Sequence, residues 1–353
     1  MKAKARKLPE PLIFPLLNLK KMKKTGSILL LALWSLCLLG VFSVYLGYGA
    51  RQKIFLVQRL NSRDSLYFIA DAGLKQAIKE IRNDSILEQD SLNEDFYNNQ
   101  SVFKDREVGL GKFSVSNIYP DNKELILKTN YGVIDEERKL NLNNAELEDI
   151  QRLIEIVSGF EDIDARGLAA SIVDWRDEDS ELSIPLGSAE DRFYRNLANP
   201  YEAKDGNLQV FDELLMVRGM TREILDKLKN YITIYGNGNL NINTATREVL
   251  LALGLNEYLV GKIIDFRVGE DAIEATFDDN IFVAPSAITA DLSQFTSLSP
   301  SEIADLSNLV ASGMLATRSD HFRAEIQAQL GKSKLQLIGV FNREGKIISW
   351  QEG

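Results

Sequence analysis

Apolar and polar positions along this chain change their period three times, and each change marks a different kind of element. From Thr25 to Ala50 run 26 residues without a charge, largely apolar, and Arg51 is the next charge. That exceeds the ~20 residues a helix needs to cross a bilayer core. Beyond Arg51 the apolar residues thin to a stripe. Leu66, Ile69, Ala70, Gly73, Leu74, Ala77, Ile78 and Ile81 recur at three- and four-residue steps and fall on one helical face. No proline lies between Ser27 and Asn83, so the two patterns predict one helix of about 57 residues, on the order of 85 Å at 1.5 Å per residue. Its first half is hydrophobic all round; its second half is amphipathic, with the stripe free to pack on a sheet.

Residues 84–106 are acidic and polar without a period, which predicts a surface loop with at most one short helix. The period then becomes two. Phe113 and Val115 alternate with polar residues, Pro120-Asp121-Asn122 reads as a turn, and Leu125–Thr129 and Tyr131–Ile134 are extended again. Two or three antiparallel strands follow from this. A second two-residue alternation begins near the other end, with Phe322, Ala324, Ile326 and Ala328 on one face, then Leu335–Phe341 and Ile347–Trp350.

Between the two strand regions the chain is helical and repeats itself. Leu140-Asn141-Leu142-Asn143-Asn144-Ala145 returns as Leu240-Asn241-Ile242-Asn243-Thr244-Ala245, each copy leading into a helical pattern. Asn143 and Asn243, or the residue after each, are expected as N-caps that accept a first-turn amide proton. Ile150–Val157 ends at Gly159, Phe211–Val217 ends at Gly219 before Ile224–Tyr231, and Val249–Leu253 ends at Gly254 before Leu259–Phe266. Helix, glycine turn, helix is the grammar of a helix-hairpin-helix unit. Residues 270–317 read as an acidic loop with short helices. Strands on both sides of a helical block predict one sheet interrupted by a large insertion. The expected class is therefore α+β: a long N-terminal helix packed on an antiparallel sheet in the manner of a pilin, with a large helical insertion of helix-hairpin-helix or SAM-like type. The expected segments are 1–26, 27–50, 51–139, 140–238, 239–317 and 318–353.

Charge gives the apolar helix a direction. Residues 1–26 carry eight Lys or Arg and one Glu, which holds that end in the cytoplasm by the positive-inside rule and places everything after Arg51 outside. The net charge of −10 divides into +7 for those residues and −17 for the rest, which has 33 basic and 50 acidic residues. An acidic exterior repels nucleic acid and attracts cations or basic partners. The only cysteine, Cys37, sits inside the apolar run, so no intramolecular disulfide can form, and a single histidine, His321, argues against a zinc or iron site. A cleaved secretory signal would have an apolar core of only ~7–15 residues.

Helix-hairpin-helix turns often bind DNA by aiming backbone amides at a phosphate, through two glycines that form an anion nest. Here each turn has one glycine, and Gly159-Phe160-Glu161-Asp162 puts carboxylates where a phosphate would lie. Packing is the favoured use. Asp174, Asp177, Glu178, Asp179 and Glu181 form the cluster best suited to site chemistry, because crowded oxygen ligands suit calcium. The spacing is not that of an EF-hand: counted from Asp177, Leu182 stands at the turn-glycine position and Ser188 at the bidentate-glutamate position. Glu190 and Asp191 could return to complete another kind of site. On the residues alone, a solvated acidic loop accounts for the same cluster at least as well. There is no Ser/His/Asp arrangement and no glycine-rich phosphate loop after a strand, so an enzyme is not expected.

The basic residues ending in Gly26 before Ser27-Ile28-Leu29-Leu30-Leu31 resemble the leader of a type IV prepilin, which a membrane peptidase cuts after the glycine. With Ala70-Asp71-Ala72-Gly73-Leu74, Asp135-Glu136 before Leu140-Asn141-Leu142-Asn143, Asp174-Trp175-x-Asp177-x-Asp179, Ala189-Glu190-Asp191-x-x-Tyr194, Asn199-Pro200-Tyr201, Leu214–Met220 and Asn241-Ile242-Asn243-Thr244-Ala245, the ordered set resembles the general secretion pathway protein K family, the K-type minor pseudopilins of type II secretion. The resemblance implies a pilin-like fold at the tip of a short periplasmic filament and assembly with the I- and J-type minor pseudopilins and the major pseudopilin. It further implies cleavage between Gly26 and Ser27 by prepilin peptidase, and calcium in the acidic loop with Asp177, Asp179 and Glu190 as ligands. Most pilins carry a glutamate at the fifth position after the cut; K-type members resemble this chain, which has Leu31 there. That glutamate is thought to pair with the amine of the next subunit, so its absence suits a terminal subunit. Ser27 stands where a bulkier apolar residue is usual.

The expectation is a non-enzymatic subunit of the bacterial inner membrane, single-pass, with its N-terminus cytoplasmic and its head periplasmic, that initiates or caps a pseudopilus. The alternative is a membrane-anchored helix-hairpin-helix protein that binds DNA during uptake.

Overall fold

The computed structural model describes residues 26–120, 127–160, 162–185 and 187–352. The leader residues 1–25, Glu161 and most of the expected turn after Pro120 lie outside them. The chain divides into two compact units, one ending at Asn61 and the other covering Ser62–Gly353.

Helix α1, Gly26–Arg82, runs without a break across both units. The side chains of its first unit are almost all exposed. The helix is long and apolar enough to cross a membrane, with a mean hydropathy of 2.4 over its most apolar stretch.

In the second unit the expected stripe is buried: Leu66, Ile69, Ala70, Leu74, Ala77 and Ile81 are all core. They pack on an antiparallel sheet of β1 (Arg106–Val108), β2 (Gly111–Val115), β10 (His321–Leu330), β11 (Ser333–Asn342) and β12 (Ile347–Glu352), in that order, with β5 (Ile134–Asp135) also on β10. Helix and sheet come close at Gly73, where a Cβ would stand 2.7 Å from Ile326 Cγ2 and 3.0 Å from Phe113. Any larger residue there would push the layers apart. In β10 the expected face is buried, with Phe322, Ala324, Ile326 and Ala328 inward. Ile326 pairs with Val115 and Ala328 with Phe113. Strands some two hundred residues apart in sequence are thus neighbours, and the helical block is an insertion into one sheet.

Two local expectations are corrected. Residues 84–106 hold one short helix, α2 (Gln100–Phe103), yet they are not simply surface: Asp90, Leu92, Phe96, Tyr97 and Phe103 are buried against the sheet. They reach the core through successive turns, which leave no period to read. Of the middle strands, β3 (Asn117–Pro120) and β4 (Leu127–Asn130) form a separate hairpin, and the stretch expected as strand from Tyr131 shortens to β5.

The insertion is built twice. In the first copy β6 (Leu140–Asn141) leads into α3 (Leu147–Ser158) and α4 (Asp162–Arg176), then α5 (Asp191–Tyr194), a 3-10 turn at Phe211–Met216 and α6 (Arg222–Leu228). It closes on β7 (Ile232–Thr233), parallel to β6. In the second, β8 (Leu240–Asn241) leads into α7 (Arg247–Ala252) and α8 (Glu257–Arg267), then a 3-10 turn at Pro285–Ala287, α9 (Ile288–Phe295) and α10 (Pro300–Ala311). It closes on β9 (Leu315–Ala316), parallel to β8. One apolar cluster runs through both copies.

The expected caps are also corrected. The helices start four residues after the asparagines, behind Glu146, whose side chain makes no cap bond, and Thr246, which accepts from Val249 N. Asn143 and Asn243 instead bridge remote strands of chain. Asn143 accepts from Leu208 N and donates to Leu208 O and Ile234 O; Asn243 accepts from Phe282 N and donates to Phe282 O and Thr317 O. A buried backbone segment with no ladder partner needs such a side-chain substitute.

Candidate metal centre and functional site

The acidic loop leaves the C-terminal end of α4. Arg176, the last residue of that helix, turns its guanidinium to the carbonyls of Leu142 and Ala145, so it is bound to the repeat motif and not to the acids that follow it. Asp177 continues the helical bonding by donating its amide to Val173 O at 3.0 Å. Asp179 accepts from Glu181 N at 2.8 Å, which closes a turn. Glu190 returns as the N-cap of α5, its Oε2 accepting from Asp191 N at 3.3 Å. By this route Asp177, Asp179 and Glu190 each place one carboxylate oxygen within 4.8 Å of the others.

Their oxygens are not satisfied by the protein. Asp177 Oδ1, Glu190 Oε1 and Asp174 Oδ2 are buried and have no hydrogen-bond partner among the described residues. Asp174 is fully buried, and its other oxygen accepts from Ser183 N at 3.0 Å. Burial, with help from Asp179 and Asp174, pushes the Asp177 carboxyl up to about 6; burial above all, then Asp174 and Asp177, pushes Glu190 up to about 7. Acids crowded together without donors are destabilised as anions, and a cation among them removes the penalty. Three oxygens at these separations can all lie on the order of 2.5 Å from one point, the calcium–oxygen range. The donor set is all oxygen, which suits a hard cation, so the residues fit calcium.

The rest of the acidic cluster divides. Glu178 and Glu181 are exposed. Asp191 is occupied, accepting from Ala203 N at 2.9 Å and pairing with Arg195 at 2.6 Å. Asp174, counted in the acidic cluster but not among the three expected ligands, also keeps a buried oxygen open, yet it is not one of the acids that converge. Its only signal in the sequence is the spacing Asp174-Trp175-x-Asp177. Trp175, Tyr194 and Tyr201 stand behind the loop, with Trp175–Tyr194 and Tyr194–Tyr201 ring centroids both 5.2 Å apart.

A second acidic trio, Asp84, Asp90 and Glu94, also converges within 4.8 Å. There a protein cation is already in place: the Arg343 guanidinium pairs with Asp84 at 3.1 Å and with Asp90, and donates to Ser319 O at 2.8 Å. Burial and the neighbouring acids push Glu94 up to about 8.

Two of the three hairpin turns spend their glycine amides inside the fold. Gly159, at φ +71°, spends its amide on Glu155 O, and Gly254, at φ +85°, spends its amide on Leu251 O with the Arg152 side chain packed over it. His321 opens β10 and contacts Glu137 Oε1 at 2.7 Å, a structural pair. Gly26 and Ser27 are the first two residues of α1, and Leu31 is exposed on the same helix.

A helix laid on an antiparallel sheet, with a duplicated helical unit inserted between β5 and β10, defines a pilin-like fold with a large insertion. Residues 111–237 match the family model described as Type II secretion system (T2SS), protein K. The type II secretion system protein K of Aeromonas hydrophila is 29% identical over 188 residues, 52% of this chain and 52% of that one; the match spans about half the length of that relative. A chain of the GspK–GspI–GspJ complex from the enterotoxigenic Escherichia coli type 2 secretion system shares the fold with a TM-score of 0.59 at 16% identity, over 86% of this chain and 99% of that one. Over residues 111–237 the chain is thus similar to type II secretion system protein K.

Proposed function

We propose that this protein is a minor pseudopilin that initiates or caps the pseudopilus of a type II secretion system, as a structural subunit and not as an enzyme. The observation that carries the reading is α1 itself: a membrane-length apolar segment continues without a break into the stripe that holds the head. The positive charge before the helix orients it with the leader in the cytoplasm and the head in the periplasm of the inner membrane. Prepilin peptidase would cut between Gly26 and Ser27. Leu31, in place of an acid, leaves no partner for the amine of a subunit above, as a terminal position requires. The two other minor pseudopilins of the GspK–GspI–GspJ complex point to I- and J-type proteins as its immediate partners, with the major pseudopilin below them.

Calcium in the Asp177–Asp179–Glu190 site would tie the acidic loop to the start of α5 and stabilise the head.

Co-expression with I- and J-type pseudopilins followed by detergent extraction tests the assembly. A complex of the three is expected, and failure of this chain to co-purify with either partner would sink the tip assignment. Mass spectrometry of the mature N-terminus should find Ser27 as first residue; an intact leader would leave an ordinary membrane anchor. The DNA-uptake alternative requires a salt-sensitive gel shift, and the capped turn amides and an exterior charge of −17 argue against one.

A further inference from the structure

We propose that the cavity beside the acidic loop is a calcium-dependent docking pocket for a partner-protein segment that presents a carboxylate next to an apolar side chain. The proposal rests on the calcium reading given above. The cavity measures about 690 Å³, a size that takes two or three residues of a peptide. Leu182, Phe193 and Leu197 give it apolar walls, and Arg192, Arg218 and Glu190 supply its charges.

The two arginines set the ligand's charge. Arg218 is held in place, its Nη1 donating to Ser188 O at 2.7 Å and its guanidinium lying over the Phe193 ring at 5.0 Å. Neither Arg192 nor Arg218 makes an ion pair among the described residues, although the chain beyond residue 26 carries 50 acids against 33 bases. Two cations without carboxylate partners, flanking an apolar hollow on so acidic a protein, are complementary to a carboxylate brought by another chain.

Glu190 links the pocket to the metal site, because it lines the cavity and also belongs to the Asp177–Asp179–Glu190 trio. Without a cation, three converging carboxylates repel an incoming one at short range. A calcium ion offsets two of the three carboxylate charges, and the two cations Arg192 and Arg218 then outweigh the one that remains. The ion also fixes Glu190, the N-cap of the short helix that carries Arg192 and Phe193. Docking is therefore switched by the metal and not merely placed near it.

The test uses the full chain in detergent, with acetyl-Ala-Leu-Leu as the free acid and as the C-terminal amide. The thermal response to calcium alone is read first. In calcium the acid should bind about tenfold tighter than the amide, the worth of one charge-assisted contact. The preference should vanish in EGTA and in Arg192→Glu, a change at a side chain that makes no hydrogen bond or ion pair among the described residues. Equal binding of acid and amide, or binding of neither, with the calcium response intact overturns the docking proposal and leaves the metal site standing. Equal acid preference in EGTA overturns the calcium dependence. Absence of any thermal response to calcium removes the metal reading and the switch with it.

Discussion

Arg176 closes the first helical copy on the carbonyls of Leu142 and Ala145, and Arg267 closes the second on those of Ile242 and Ala245. The same end-of-helix arginine thus grips the same two positions of the repeat in both. Asn141 and Asn241 each accept from the amide two residues on, and Asn143 and Asn243 each bridge two remote segments. The copies part immediately after the arginine, although both continue into an acidic loop. In the second loop the acids are used: Asp278 accepts from the amides of Glu270 and Asp271, Asp279 from Ala275 N, and Glu274 pairs with Arg267 at 3.0 Å. In the first copy Asp174, near the end of α4, and Asp177 and Glu190 in the loop each keep a buried oxygen open. Acidic composition is common to both, so it cannot mark a metal centre by itself. The mark is an acid that has been buried and given no donor.

The shared scaffold offers the largest effect. Asn243→Ala would leave Phe282 N and O without partners in a fully buried setting, and should cost roughly 3 kcal/mol in urea denaturation; Asn143→Ala, more accessible, should cost roughly 2 kcal/mol. A cost no larger than that of a surface substitution would mean that the two asparagines are not the ties of the repeat.

The loops themselves come next. Calcium at a hundred times its dissociation constant should add about 2.7 kcal/mol, seen as a rise of about 5–10 °C in Tm. Asp177→Ala with Asp179→Ala should abolish the rise. Asp278→Ala should lower the starting Tm, since it strands two amides, yet leave the calcium rise unchanged. If Asp278→Ala removed the rise instead, the contrast between the loops would be wrong.

A smaller effect separates the hairpin turns. Both Gly159 and Gly254 adopt left-handed backbone, so alanine at either should cost about 1–2 kcal/mol. The added methyl meets open space at Gly159 and only ordinary contact with the Arg152 side chain, at 3.5 Å, at Gly254, so space does not separate them; the φ of +85° at Gly254 lies further from the left-handed region open to L-residues than +71° at Gly159, and the second substitution should be the costlier.

The smallest effect concerns pH. Burial pushes Asp279 up to about 6, above the ~3.9 of an unfolded chain. Between those values the folded protein holds a proton that the unfolded chain has lost, so stability falls as pH rises through that window. Asp279→Asn should flatten this fall, with or without calcium. A flattening that required calcium would assign the second loop a metal role it does not have here.

Much of this was legible beforehand. The long apolar helix, its stripe, the inward face of β10, the hairpin units and the repeat follow from periods of two and of about 3.6, which neighbouring residues create among themselves. Residue type marked a wider acidic cluster, the family resemblance chose Asp177, Asp179 and Glu190 from around it, and the fold brings those three together across the loop. What was not legible depended on partners far along the chain. The Arg343 that occupies the Asp84–Asp90 site lies some 250 residues away, and the bridging bonds of Asn143 and Asn243 reach across 39 to 91 residues.

By itself, then, the sequence determined the elements, their buried faces and the duplication, because hydrophobic periodicity is written locally and needs only a core to face. Tertiary structure alone decided which acids are satisfied and which stand open, why residues 84–106 are buried without a period, and that the repeat's asparagines tie segments and do not cap helices. The physical reason is the same in each case: a polar group's energy is set by whether a donor or acceptor meets it in space, and that meeting is made by the fold.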